Sequence, residues 1–288
     1  GNSADFDCGG FDNRFFASMN NSTISGNSAD RCGGIDNRGT LTLNNSTVSG
    51  NTALAIAGGI YSRNTLFLYN SIISGNNSFP SPSTATDVQV SGTITSNNNL
   101  FGADGVAGVI GFTLAASDII NPLTLAATLS PLTDNGGPTQ THALLPNSPA
   151  IDAGNDTLAG GLTTDQRGAS RFNGTVDIGA VEAYYALTAT AGDGQNTTVN
   201  TNFGTPLTVR LTETFANAGV SGATITFNSP ATGASLDNVS QTAITNATGT
   251  ASLNATANTT AGSFLVSATT PGVTGVNFNL TNDPGVAA

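Results

Sequence analysis

The sequence predicts an all-β protein: a parallel β-helical coil followed by a two-sheet β-sandwich. Three observations predict it. Thr, Asn, Ser, Gly and Ala dominate a 288-residue chain that has no Lys and only 9% charged residues, a composition short of helix formers and rich in strand and turn formers. A motif returns at a fixed period in the N-terminal part, and the C-terminal part breaks into short alternating runs bounded by Gly, Asn and Pro.

The repeat comes first in the chain. CGGFDNRFFASMNNSTISGN from Cys8 returns as CGGIDNRGTLTLNNSTVSGN from Cys32 and as AGGIYSRNTLFLYNSIISGN from Ala57, at offsets of 24 and 25 residues. GNSAD at 1–5 matches GNSAD at 26–30, so the sequence enters at the end of a copy and reads as a mature or partial product. A unit this short cannot bury its own apolar face, but stacked turns bury a continuous core. Matching apolar residues should therefore line the interior as columns: Phe11, Ile35 and Ile60; Ala17, Leu41 and Leu66; Met19, Leu43 and Leu68; Ile24, Val48 and Ile73. Leu41-Thr42-Leu43 alternates with the strand period of two.

Polar positions align as well. Asn21, Asn45 and Asn70 form one column and Asn27, Asn51 and Asn76 another. Two readings stand: amides hydrogen-bonded up the column, or Asn chosen for left-handed corner geometry. Arg14, Arg38 and Arg63 would stack about 4.8 Å apart, with Asp12 and Asp36 offsetting their repulsion, as a solvated ladder rather than a ligand-binding stripe. These GG-[IF]-x-N and N-S-T-[IV]-S-G-N elements resemble the repeats of bacterial right-handed parallel β-helix surface proteins of the polymorphic outer membrane protein type, over about residues 1–100. The resemblance implies architecture and a surface setting, not an activity.

The period fades after Gly92, beyond a Pro/Ser-rich excursion over 79–83, although SGTITSNNNLFG at 91–102 still reads as coil. DNGGPTQTHALLPNSPAIDAG at 134–154, TDQRGASRFNG at 164–174 and VDIGAVE at 176–182 resemble the C-terminal part of the bacterial surface domains termed choice-of-anchor. That resemblance implies a segment that closes the coil, a secreted or cell-surface location, and pairing of Arg167 and Arg171 with Asp165 and Asp177. Ile178, Ala180 and Val181 read as a short strand covering an open edge. His142, the only histidine, reads as a hydrogen-bonded structural residue.

From about Leu187, seven short runs from LTATA to VNFNLTN alternate in strand fashion, the pattern of an immunoglobulin-like sandwich. They resemble bacterial Ig-like repeats of invasin and intimin type, spacers or adhesion modules. Leu207, Val209, Leu211, Ile225, Phe227, Leu253, Phe264, Val266, Phe278 and Leu280 should fill the core. The expected division is 1–185, coil with a closing segment over about 100–185, and 186–288, sandwich.

Function follows by exclusion. A net charge of −11 with no basic tract removes the footprint of nucleic-acid or anionic-lipid binding. No apolar run reaches the roughly 18 residues of a membrane-spanning helix. Lyase or hydrolase chemistry needs a base with a charge stabiliser or paired carboxylates, and a chain without Lys, with only Glu182 and Glu213 as glutamates, offers no such set. Cys8 and Cys32 share a repeat position that is Ala57 in the third copy; adjacent turns place them within disulfide range, so a bond is expected. No cofactor is expected to be required; calcium is the structural ion the aspartates could take, on Asp5, Asp7 and Asp30 at one corner and on Asp152, Asp156, Asp165 and Asp177 around the closing segment, the alternative being turn-forming Asp without an ion. The expected function is an extracellular structural or adhesive protein, non-enzymatic, assembling head-to-tail with copies of itself into a filament. The alternatives are a tethered monomeric adhesin and a glycan-binding or polysaccharide-degrading β-helix, with Tyr61 and Tyr69 as stacking platforms.

Overall fold

The computed structural model describes residues 1–79, 87–215 and 217–285, in two compact units, Gly1–Ala183 and Tyr184–Ala288. Most of the Pro/Ser-rich excursion lies outside the described residues.

The first unit is a parallel β-solenoid of about four turns. Each turn contributes strands to parallel sheets that form the faces of the coil. The first face stacks Phe11–Asn13, Ile35–Asn37, Ile60–Ser62, Val88–Val90 and Val109–Ile110. The second stacks Phe16–Asn20, Thr40–Asn44, Thr65–Tyr69 and Thr93–Asn97; the third stacks Thr23–Ser25, Thr47–Ser49, Ile72–Ser74, Leu100–Phe101 and Ile119–Ile120. Two-residue strands from Ser3–Ala4 to Asn77–Ser78 make a short fourth face.

The repeat alignment is the structural register. Phe11, Ile35 and Ile60 are strand partners, as are Ala17, Leu41 and Leu66, Met19, Leu43 and Leu68, and Ile24, Val48 and Ile73. Val88, Ile94 and Phe101 continue three of these columns into the fourth turn. The inward residues of the middle turns are fully buried in one cluster, against which Phe112 and Leu114 pack beyond the fourth turn.

Sharp corners separate the faces. Asn21, Asn45, Asn70 and Asn98 occupy the left-handed region at φ between +45° and +52°, and Gly26, Gly50, Gly75 and Gly102 do so at the next corner. Only residues tolerant of positive φ fit these places. The paired glycines answer a different demand: a Cβ on Gly34 would lie 2.4 Å from the carbonyl oxygen of Gly59 on the next turn.

The second unit holds two sheets. One contains Tyr185–Ala191, Leu207–Glu213, Ala218–Gly219 and Thr250–Leu253; the other contains Gln195–Thr198, Val273–Asp283, Gly262–Thr270, Thr224–Asn228 and Ser240–Ile244. All ten residues expected to form this core are buried. The alternation missed two strands, Gln195–Thr198 and Ala218–Gly219, because neither carries an apolar period.

Candidate functional site

The most elaborately built polar region of the first unit is a seam along the third face. Thr23, Thr47, Ile72, Leu100 and Ile119 point outward there in one column. Ile72 and Leu100 are nonetheless fully buried, in a second cluster with Leu129, Leu144, Ala150 and Ile178. The segment after the fourth turn therefore does not stop at the end of the coil. It returns along the flank and touches every turn, so the closing role expected for about 100–185 divides: Phe112 and Leu114 pack on the core cluster, while residues 129–183 form a lateral strap.

Polar contacts set the strap's position. His142 lies 2.8 Å from Ser25 Oγ through Nε2 and 2.8 Å from the carbonyl oxygen of Ser130 through Nδ1. The Ser130 carbonyl can only accept, so Nδ1 carries a proton and donates to it; burial lowers the ring's pKa, and in the neutral ring Nε2 accepts from Ser25. Thr23 donates to Gln166 Oε1 at 2.6 Å, and Asn21 Nδ2 donates to the Thr164 carbonyl at 2.7 Å. Asn44 Nδ2 donates to the Leu158 carbonyl, and Asn70 exchanges hydrogen bonds with Asn155 through both side-chain atoms. Asn98 Nδ2 reaches the Ala153 carbonyl at 3.3 Å.

Under the strap lies a buried charge network. Arg167 pairs with Asp165 at 3.0 Å, both side chains fully buried. Arg171 donates to the carbonyls of Gly179 and Ala180 and to Asn21 Oδ1, with Glu182 at 3.7 Å. Burial lowers the Arg171 pKa. Burial also raises Asp177 to about 7 and, with the neighbouring Asp177 charge, Glu182 to about 8. Isolated buried charges each cost several kcal/mol; here backbone carbonyls and opposite charges surround them. The expected short strand at Ile178, Ala180 and Val181 does not form. Gly179 sits at φ +112°, and the amides of Ile178, Gly179 and Ala180 go to Ala150 O, Asn70 O and Thr47 Oγ1 rather than to a strand edge.

The two asparagine columns divide between the two readings. Asn21, Asn45 and Asn70 are the left-handed corners. Asn27, Asn51 and Asn76 are the ladder: Asn27 Nδ2 donates to Asn51 Oδ1 at 2.9 Å, Asn51 Nδ2 to Asn76 Oδ1 at 2.8 Å, and Asn76 Nδ2 to Asp87 Oδ1 at 2.7 Å. Burial raises Asp87 to about 7. On the first face Asp36 is completely buried and accepts from Arg38 and Arg63, and its hydrogen bond raises the Arg38 pKa. The guanidinium carbons of Arg31 and Arg63 lie 5.7 and 5.0 Å from the centre of the Tyr61 ring, a contact the repeat alignment did not signal because Tyr61 replaces Asp36 in the column.

Cys8 and Cys32 are bridge partners on adjacent turns and are held as free thiols. A hydrogen bond from Cys32 lowers Cys8 to about 7, and the same contact with burial raises Cys32. Of the aspartates expected to hold calcium, Asp165 accepts from three backbone amides and from Arg167. Asp177 accepts from the amides of Asp152 and Ala183, and Asp156 from that of Val176. Asp7 pairs with Arg38 at 3.1 Å and Arg31 at 3.8 Å, and Asp5 and Asp30 are exposed. Among the described residues no three His, Cys, Asp or Glu side chains converge as a metal-holding group, and no helix is long and apolar enough to cross a membrane.

Fold and seam together define an all-β solenoid protein with a strap locked to its flank. No protein-family model matches the chain, and no curated protein matches it.

Proposed function

We propose that the chain is a non-enzymatic, extracellular structural or adhesive protein, built on a right-handed β-helix followed in sequence by an Ig-like module. The observation that carries this reading is the strap: a segment without regular strands is tied by named polar contacts to every turn, which stiffens the flank of a coil whose core is already continuous. Stacked turns with a second row of ties make a rod that transmits load rather than a cleft that closes on a substrate.

Self-association head-to-tail extends the reading. The strands Ser3–Ala4, Phe11–Asn13, Phe16–Asn20 and Thr23–Ser25 each lie at the edge of their sheet, and Phe11, Ala17, Met19 and Ile24 are only partly buried. Such edges pair with another strand-bearing surface, supplied by preceding chain or by a second copy; in the second case a contact between unlike surfaces propagates into a filament. Sedimentation across a concentration series, with electron microscopy of the same material, tests this: concentration-dependent linear assemblies are expected, and a monomer at every concentration would remove the filament. Turnover of a polysaccharide, abolished by one Asp substitution, would remove the non-enzymatic reading.

A further inference from the structure

We propose that the outward face of the second sheet is a docking surface for a neutral polysaccharide, with Phe67 and Tyr69 as its stacking platform. This deepens the adhesive part of the reading above by naming a ligand class.

The four strands Phe16–Asn20, Thr40–Asn44, Thr65–Tyr69 and Thr93–Asn97 present twelve outward positions in continuous parallel register. All twelve are Thr, Ser, Asn, Phe or Tyr. In a chain of net charge −11, a sheet face without a single carboxylate, guanidinium or imidazole is suited to an uncharged partner; a uronate or sulfated chain would gain no counter-charge there and would meet the long-range repulsion of the rest of the molecule.

The ring chemistry narrows the partner further. Phe67 and Tyr69 stand side by side on one strand, their centroids 6.4 Å apart and their planes within 24° of parallel. Both are half-buried, and the parts of the two rings that reach solvent form an adjoining apolar surface that water covers poorly. A pyranose has one apolar C–H face and an equatorial belt of hydroxyls. The first matches the ring pair; the second needs groups that both donate and accept beside it. Strand register supplies them, because Thr42 and Thr95 flank Phe67, and Asn44 and Asn97 flank Tyr69, on the neighbouring turns. The hydroxyls of Thr42 and Thr95 have no side-chain hydrogen bond within the protein among the described residues, whereas Asn44 is tied to the strap and Asn97 accepts from Ser117. Two hydroxyl partners therefore flank one ring directly, one turn above it and one turn below.

Tyr61 makes a poor platform by comparison. It lies on the first face with Arg31 and Arg63 against its ring, so its π-surface is already occupied by cations.

Affinity electrophoresis and pull-down of the full chain test the proposal, with cellulose, chitin and mannan as neutral probes and alginate and polygalacturonate as anionic ones. The wild type should be retained by at least one neutral probe and by neither anionic probe. Phe67→Ala with Tyr69→Ala should weaken retention about tenfold or more, and Thr42→Val with Thr95→Val less, while Tyr61→Ala leaves it unchanged. Because all of these side chains except Tyr61's face outward on the second sheet, circular dichroism and the thermal midpoint of each variant report whether the coil persists. Retention on no neutral probe, retention undiminished in the Phe67 and Tyr69 variant, or stronger retention on the anionic probes would overturn the proposal. So would sedimentation showing that this variant abolishes self-association, which would assign the face to a second copy. Failure here leaves the scaffold reading standing, since that reading is decided by assembly and not by glycan retention.

Discussion

The coil and its strap occupy one unit but are held together by different physics. In the coil, each residue is stabilised by its counterpart one turn away, so the same interaction is made several times and no single position is unique. In the strap, residues 129–183 contain one four-residue 3-10 helix, no regular strand, and a set of contacts each made once. Redundant stacking tolerates local damage; unique buried ties do not. The comparison predicts where the protein is brittle.

The largest effect should come from Arg171. Its side chain is fully buried among carbonyls, Asn21 and acidic neighbours, and breaking such a network by removing one partner typically costs about 3–5 kcal/mol. Arg171→Met should lower the denaturation midpoint of the first unit and expose residues 129–183 to proteolysis before residues 35–101. Equal loss in both regions would erase the distinction between coil and strap.

Within the coil, position along the stack should matter more than residue type. Leu43 and Met19 share a column, but Leu43 is completely buried and Met19 only partly so. Leu43→Ala should cost about 2–5 kcal/mol, and Met19→Ala markedly less, measured by denaturant unfolding.

These columns were legible in the sequence because repetition exposes them: a residue that returns after 24 or 25 positions and stays apolar must face inward. The strap was not legible in the same way. Its partners Asn21–Thr164, Thr23–Gln166 and Ser25–His142 are separated by 143, 143 and 117 residues, and each pair occurs once, so no period betrays it. One signal was present. The outward third-face column changes from Thr23 and Thr47 to Ile72, and an outward Ile in a solenoid means that something covers it. Reading the seven C-terminal runs as strands succeeded, SQTAITN included although its alternation is weak, and missed two strands that carry no apolar period.

The two asparagine columns allow a smaller test of what repetition means. Asn51→Ala would leave the backbone and side-chain amides of Asn27 without their acceptor and take a donor from the Ile24 carbonyl, while Asn76 Oδ1 keeps the backbone amide of residue 51, at about 1–3 kcal/mol for a buried unsatisfied group. Asn45 sits at φ +46° with its side-chain nitrogen unbonded and its Oδ1 accepting only a long, 3.5 Å hydrogen bond from Asn70 Nδ2, which also bonds the Asn155 carbonyl at 3.0 Å. Asn45→Gly should therefore be nearly neutral, as glycine accepts that conformation without strain. Comparable losses at both positions would mean that the corner column is also a ladder.

The smallest effect is a pH dependence. Burial raises Asp87 to about 7, above the value of about 4 for a free carboxyl, so between these values the folded chain holds a proton that the unfolded chain releases. Its contribution is full below about pH 4 and is lost as pH rises to about 7. Asp177 and Glu182 act in the same direction, the latter to about 8. The thermal midpoint of the first unit should fall from pH 5 to pH 8. Asp87→Asn keeps the acceptor for Asn76 and removes the titration, so it should flatten that slope and raise the midpoint at pH 8. A variant with an unchanged slope would show that the other two acids carry all of it.

Native-state hydrogen exchange read by mass spectrometry tests the division between coil and strap most directly. Two tiers are expected: the slowest exchange across Ile35–Asn37, Thr40–Asn44, Thr65–Tyr69 and Ile72–Ser74, and an intermediate tier across residues 129–183, which opens as its own unit at lower free energy. Exchange of both regions in a single cooperative step, or a strap no more protected than the exposed N-terminal residues, would contradict the account.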